Sequence, residues 1–162
     1  MFALKNVIRR NNKEADSFDA MLAKLSAMTK PDTQERRLLL VEDQPSDVAL
    51  AREMLYDCMP DYQWQVVDRP SMANAIALVH DVRFDMVMLD LNLHDMEGPE
   101  TVSALHTVVP SLPIIVYSGS SDLDMLQKAL SNGAHFCIEK GITMPKVVRA
   151  MIQCALMPEP TY

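Results

Sequence analysis

No stretch of this 162-residue chain stays apolar for the roughly 18–20 residues that a membrane helix needs. Lys5, Arg9, Arg10, Lys13 and Glu14 interrupt every apolar stretch near the amino terminus, so no secretory leader is expected there. Cysteine is scarce: Cys58, Cys137 and Cys154 form no CxxC pair and no Cys/His cluster with zinc spacing. An odd, scattered set of thiols suits a reducing cytoplasm better than a disulfide frame. There is no internal repeat and no low-complexity tract. Basic residues are also sparse over most of the chain. Residues 1–37 hold 8 Lys and Arg against 5 Asp and Glu, a net charge of +3, whereas residues 38–162 hold 7 against 17, a net charge of −10. Such an acidic body argues against a nucleic-acid partner, whose phosphates call for basic surface. With 49% hydrophobic and 23% charged residues, the expectation is a cytoplasmic globular domain with an added arm and no membrane partner.

The arm is set off by the polar, proline-containing stretch Thr29-Lys30-Pro31-Asp32-Thr33, which reads as a linker. Before it, Phe18, Met21, Leu22, Leu25 and Met28 recur at three- and four-residue spacing, which predicts a helix over 14–28. Phe2, Leu4, Val7 and Ile8 suggest a shorter helix upstream. The apolar stripe is read either as packing against the body or as a partner or dimer surface. Residues 1–33 are thus an expected helical extension, 34–158 the body and 159–162 a tail.

In the body, strands and helices alternate. Strands are predicted at 37–41, 62–67, 84–89, 113–117 and 134–138. Helices are predicted at 46–59, 71–82, 100–108, 122–132 and 143–156. Ser71 is the expected N-cap of the second helix, and Asn132-Gly133 the stop of the fourth. Continuously apolar strands between helices imply a parallel sheet covered on both faces. The fold expected is therefore α/β: a flavodoxin-like (βα)5 doubly wound, five-stranded parallel sheet in the order 2-1-3-4-5, plus the N-terminal helical extension. In such sheets the ligand site lies at the carboxyl ends of the strands.

Those ends carry Glu42-Asp43, Asp90, Ser118 and Lys140, while Asp68 ends the second strand farther out at the sheet edge. Carboxylates crowded together raise one another's pKa, and a hard divalent cation relieves the conflict. Mg²⁺ suits this donor set, because it takes oxygen ligands and is typically held by one or two carboxylates plus a phosphate. Asp43 and Asp90 are the best direct ligands, with Glu42 direct or through water. Lys140 places an ammonium beside the acids, and Ser118 offers a small hydroxyl. A carboxylate at a strand end can attack a phosphoryl group, with the charge on the equatorial oxygens neutralised around it.

Leu38-Leu39-Leu40-Val41-Glu42-Asp43, Met88-Leu89-Asp90-Leu91-Asn92-Leu93 running to Gly98, Ile115-Val116-Tyr117-Ser118-Gly119, and Gly133-Ala134 leading to Lys140 resemble the receiver domains of two-component response regulators over about residues 37–157. The resemblance implies that Asp90 is the phosphorylated aspartate, and that Glu42 and Asp43 hold Mg²⁺ with the backbone carbonyl of Asn92 as a further ligand. It implies that Ser118 is the switch hydroxyl and that Lys140 contacts the phosphoryl group. The implied donor is a phosphohistidine on a sensor histidine kinase or histidine phosphotransfer protein. The chain would be a stand-alone, CheY-like receiver, not an enzyme beyond catalysing its own phosphorylation and dephosphorylation. Output would pass by protein contact to a downstream target through the face of the fourth helix, last strand and last helix. That face, or the N-terminal helix, is also where a homodimer is expected to form.

Three positions depart from the family's pattern. Gly141 stands where proline usually follows the lysine, so that turn is differently set. His94 replaces a usual proline, which implies a looser loop after Asp90; the histidine itself reads as filling a turn position. Cys137 stands where the switch aromatic is expected, and Phe136 beside it substitutes only if the strand register shifts. Other readings are a phosphatase or phosphotransferase of the haloacid-dehalogenase type, a flavin-binding protein on the same fold, and a receiver-like binding module that works without phosphorylation. The first wants a second Asp where Asn92 stands. The last is opposed by the intact set of Glu42, Asp43, Asp90, Ser118 and Lys140.

Overall fold

A computed structural model describes residues 34–157. The helices expected over 14–28 and upstream of it, and the tail at 159–162, lie outside the described residues. The elements run β1 (Gln34–Val41), α1 (Pro45–Cys58), β2 (Tyr62–Arg69), α2 (Met72–Asp81), β3 (Met86–Leu89), α3 (Glu100–Val108), β4 (Ile114–Ser118), α4 (Leu123–Ser131), β5 (Phe136–Glu139) and α5 (Pro145–Ala155). All strand pairs are parallel and the order is β2-β1-β3-β4-β5, as the alternation of strands and helices predicts.

The sheet is buried on both faces, which is why its central strands read as unbroken apolar runs. Successive side chains alternate between the two layers. Leu38, Leu40, Met86, Met88, Ile115, Tyr117 and Ile138 point to one side and pack with Ala51 and Leu55 of α1 and with Val148 and Ile152 of α5. Leu39, Val41, Val87, Leu89, Ile114 and Val116 point to the other and pack with Met72 and Ala75 of α2, Val102 and Leu105 of α3 and Ala129 of α4. Each buried leucine or valine contributes about 1.5–3 kcal/mol from its removal from water.

The strand bounds differ from those expected in an instructive way. β1 begins at Gln34 because the polar residues Gln34–Arg37 pair with Tyr62–Gln65 of β2 and do not depend on burial. Asp85, which interrupts the apolar run before β3, lies just outside the strand. Its carboxylate accepts the Arg37 backbone N–H at 2.7 Å and the Arg36 guanidinium at 3.2 Å.

Helix ends are fixed by local chemistry. The Ser71 hydroxyl accepts the Asn74 N–H at 3.1 Å, the expected cap of α2. At the end of α4, the Ala134 N–H reaches the Ala129 carbonyl at 3.1 Å and the Gly133 N–H reaches Leu130 at 3.2 Å. This double closure requires a left-handed residue, and Gly133 supplies it at φ +112°. A β-carbon there would lie 2.7 Å from the His106 ring of α3. The neighbouring Asn132 side chain donates to the Pro99 carbonyl at the start of α3, at 2.8 Å. Among the described residues, no helix is long and apolar enough to cross a membrane.

Candidate functional site

The strand ladders continue one residue past the strand ends and so hold the site residues by their backbones. The Glu42 N–H donates to Arg69, Asp90 to Val41 and Lys140 to Ser118, at 3.0, 3.0 and 2.9 Å. Glu42, Asp90 and Ser118 are buried at 2%, 5% and 1% exposure. Four strand ends thus place the expected carboxylates, hydroxyl and ammonium at one edge of the sheet.

Lys140 is the hub. Its Nζ donates to Glu42 Oε2 at 2.6 Å, to Asp47 Oδ2 at 2.7 Å and to Asp90 Oδ2 at 3.0 Å. An ammonium has three donors, and here all three are engaged. It also lies 5.4 Å from the centroid of the Tyr117 ring. Burial alone would lower the Lys140 pKa, but the hydrogen bonds it donates to Asp47, Glu42 and Asp90 outweigh it and hold the ammonium well above the ordinary lysine range. Burial raises the Glu42 pKa despite its bonds to Lys140 and to the Gln44 N–H.

Asp47 carries no sign of this role in the sequence. It lies in the first turn of α1, where an acidic residue is favoured by the helix dipole, so nothing local points to a distant partner. Asp43, expected beside Asp90 as a direct metal ligand, turns toward the loop after β3. Its Oδ2 accepts the His94 backbone N–H at 3.0 Å, and the His94 Nδ1 lies 3.4 Å away. Asp68 is away from the cleft and pairs with Arg52 of α1 at 2.5 Å.

The loop after Asp90 is tied rather than loose. Leu91 and Leu93 are buried, Leu93 and Met96 exchange backbone hydrogen bonds at 3.1 and 3.3 Å, and the Gly98 N–H donates to Leu91 at 2.7 Å. Asp95 extends from this loop to accept the Met72 and Ala73 N–H groups at the start of α2, both at 3.0 Å. Slight burial would raise its pKa, but these backbone donors win and lower it. This tether, like Asp47, joins positions too far apart in sequence to be read from spacing. The Asn92 N–H donates to Asp90 Oδ1 at 3.3 Å, which leaves the Asn92 carbonyl outside that bond. After Lys140 the turn is made by Gly141 at φ +73°, the differently set turn that its sequence implies.

The register Val116↔Cys137 and Ile115↔Phe136 decides the switch position. Cys137 packs in the layer of α2, α3 and α4, and its thiol faces the Leu126 carbonyl of α4 at 3.9 Å. Phe136 packs in the opposite layer, with α1 and α5. The register has not shifted, so Phe136 does not stand in for the missing aromatic.

Among the described residues, no group of three or more His, Cys, Asp and Glu side chains is placed to hold a metal ion by itself. Mg²⁺ does not require one, since one or two carboxylates, water and a phosphate suffice. The hard oxygen donors of Glu42, Asp43 and Asp90, beside the Asn92 backbone, fit such an ion chemically.

A doubly wound five-stranded sheet with an acidic cleft at its carboxyl edge defines a flavodoxin-like α/β protein. Within that class, residues 38–152 match the family described as the response regulator receiver domain, and the chain belongs to this family of two-component signalling proteins. It is 30% identical over 136 residues to the sensor histidine kinase AruS of Pseudomonas aeruginosa, covering 80% of this chain and 13% of that protein. It is 30% identical over 98 residues to the cell cycle transcriptional regulator CtrA of Caulobacter vibrioides, covering 60% of this chain and 41% of that protein. The chain therefore spans less than half the length of both relatives. Among solved structures, a CheY-like receiver domain protein of Methanospirillum hungatei superposes with a TM-score of 0.62 at 23% identity, covering 76% of this chain and 94% of that one. The Mn²⁺-bound response regulator Rcp1 gives 0.63 at 20% identity, covering 78% and 99%. These structural likenesses are likenesses of fold.

Proposed function

We propose that Asp90 is the phosphoryl acceptor of this receiver. The observation that carries this reading is the buried Asp90 carboxylate at the end of β3, held 3.0 Å from the Lys140 ammonium. An Asp90 oxygen attacks phosphorus, the nitrogen–phosphorus bond of a donor phosphohistidine breaks, and the freed imidazole nitrogen takes up a proton. The donor belongs to a sensor histidine kinase or a histidine phosphotransfer protein. Lys140 pairs with a phosphoryl oxygen, and the Ser118 hydroxyl donates to another. Glu42, Asp43, Asp90 and the Asn92 carbonyl would hold Mg²⁺, a choice supported by their hard oxygen donors and by the divalent ion named in the Rcp1 structure. When bound, the ion neutralises charge on the transferring group.

The protein catalyses only its own phosphorylation and dephosphorylation. Phosphorylation shifts a two-state equilibrium between surface shapes, and output passes to a downstream protein at the face of α4, β5 and α5. Leu123, Ile142 and Met144 are 79%, 68% and 66% exposed there, which favours apolar contact. Its free thiols suit the reducing cytoplasm.

The test is incubation with Mg²⁺ and acetyl phosphate followed by intact-mass measurement. One phosphoryl group is gained by the wild type and none by Asp90→Asn. Absence of any gain in the wild type refutes the reading, and so does an equal gain in the variant.

A further inference from the structure

Resting on the reading of Asp90 as acceptor, we propose that Asp47 is a positioning residue: the one carboxylate that keeps hold of Lys140 throughout transfer, and so keeps the ammonium aimed at the incoming phosphoryl group. Lys140 needs such an anchor because of where it starts. It leaves the end of β5, and β4 and β3 lie between that strand and β1. Neighbouring strands are about 5 Å apart, so the ammonium works at the far end of a flexible four-carbon stem. Unless its end is held, the stem has many rotamers and only a few place the charge correctly.

The three bonds of the ammonium differ in what phosphorylation does to them. Nζ donates to Glu42, Asp47 and Asp90 at 2.6, 2.7 and 3.0 Å. The Asp90 bond is the one exchanged. That carboxylate loses its charge when its oxygen joins phosphorus, and a phosphoryl oxygen takes the N–H it held. Glu42 is shared with the ion assigned to it, which covers its charge. Asp47 has neither fate: it is not esterified and it is outside the ion's donor set. Its backbone is fixed as well, because the Asp47 and Val48 N–H groups both donate to the Gln44 carbonyl at 3.0 Å in the first turn of α1. Its side chain is 28% exposed, so water reaches it whether or not a phosphoryl group is present. After transfer the ammonium is therefore held by Asp47 at one N–H and by a phosphoryl oxygen at another. A donor placed in advance need not be gathered from many rotamers as charge develops, and that lowers the barrier.

The experiment follows phosphorylation of wild type, Asp47→Asn and Asp47→Ala by acetyl phosphate over a series of Mg²⁺ concentrations. Asparagine keeps an oxygen acceptor for the ammonium and alanine does not. At saturating Mg²⁺ the alanine variant should be about tenfold slower than wild type, and the asparagine variant within about threefold of it. The Mg²⁺ concentration giving half the limiting rate should be the same in all three, because Asp47 does not hold the ion. In a Lys140→Gln background, Asp47→Ala should change the rate by less than about twofold. A tenfold loss there assigns the effect to α1 itself and overturns the proposal. A crystal structure of the wild type with Mg²⁺ and beryllium trifluoride, a stand-in for the phosphoryl group, should show Nζ bonded both to Asp47 and to a fluorine. A Lys140–Asp47 contact broken in that structure overturns the proposal. So does an Asp47→Ala rate within about twofold of wild type, and either result leaves the assignment of Asp90 standing. If the wild type gains no phosphoryl group, the assignment of Asp90 falls and this proposal falls with it.

Discussion

Replacing Lys140 with methionine removes the one cation shared by three carboxylates while keeping most of the side chain's length. Glu42 and Asp90 are then left charged and buried, while Asp47 is partly hydrated and counts for little. Removing one partner of a buried ion pair costs about 3–5 kcal/mol, a large part of the roughly 5–15 kcal/mol that holds a domain together. The cost depends on pH in a definite direction. In the wild type the Lys140 pKa lies above its ordinary value, so its stabilisation is complete below the ordinary lysine pKa and fades only as pH rises through the higher folded value. The Glu42 pKa is raised by burial, so its ionisation opposes folding as pH rises from its ordinary value of 4.5 through the folded one, and Lys140 offsets that cost. Without Lys140 the offset is gone. The deficit of Lys140→Met should be full at pH 7 to 8 and shrink as pH falls into the acid range, where the stranded Glu42, its pKa raised by burial, takes up a proton. Trp64, the single tryptophan, is 6% exposed in the α1/α5 layer, so its fluorescence follows unfolding in urea at each pH. A deficit of the same size at pH 5 and pH 8 refutes this account of the hub, as does a variant as stable as the wild type at pH 8.

Gly133→Ala should cost about 2 kcal/mol, from the left-handed backbone and the displaced His106 ring, and lower Tm by roughly 6–10 °C. At Gly119 an added β-carbon would meet nothing within 4 Å and φ is not positive, so Gly119→Ala should melt close to wild type; equal Tm shifts for the two refute the steric argument. In native protein only the exposed Cys154 should react quickly with a thiol reagent. Cys58 is buried, Cys137 is half-buried, and burial pushes both thiols up, so all three should react together only after unfolding. Fast labelling of Cys58 in the native state would contradict this packing.

The parts of the fold legible in the sequence are those governed by burial. Leu38–Val41, Met86–Leu89 and Ile114–Tyr117 are apolar because both faces are covered, and the strand order follows from the crossovers. What hydropathy does not carry is pairing between polar residues. Gln34–Arg37 are strand only because Tyr62–Gln65 lie beside them. The site divides in the same way. The positions of Glu42, Asp43, Asp90, Ser118 and Lys140 follow from the strand ends, so each could be placed by reading where an apolar run stops. Side-chain pairing could not. Asp43 turning to His94, Asp95 capping α2 and Asp47 reaching Lys140 span 51, 23 and 93 positions, and no local pattern encodes such contacts.

The joint between α3 and α4 has a mechanical consequence. Asn132 fastens the carboxyl end of α4 to Pro99, where Gly133 lets the backbone pass close to the His106 ring, while the amino end of α4 follows the short segment after Ser118. A nine-residue helix is about 13 Å long. Pinned at one end, it behaves as a lever whose fulcrum is Asn132, and each degree of rotation carries the Leu123 end through about 0.2 Å. Any displacement of the backbone at Ser118 is therefore applied at the far end of the arm, where it turns α4 against the sheet with the least force.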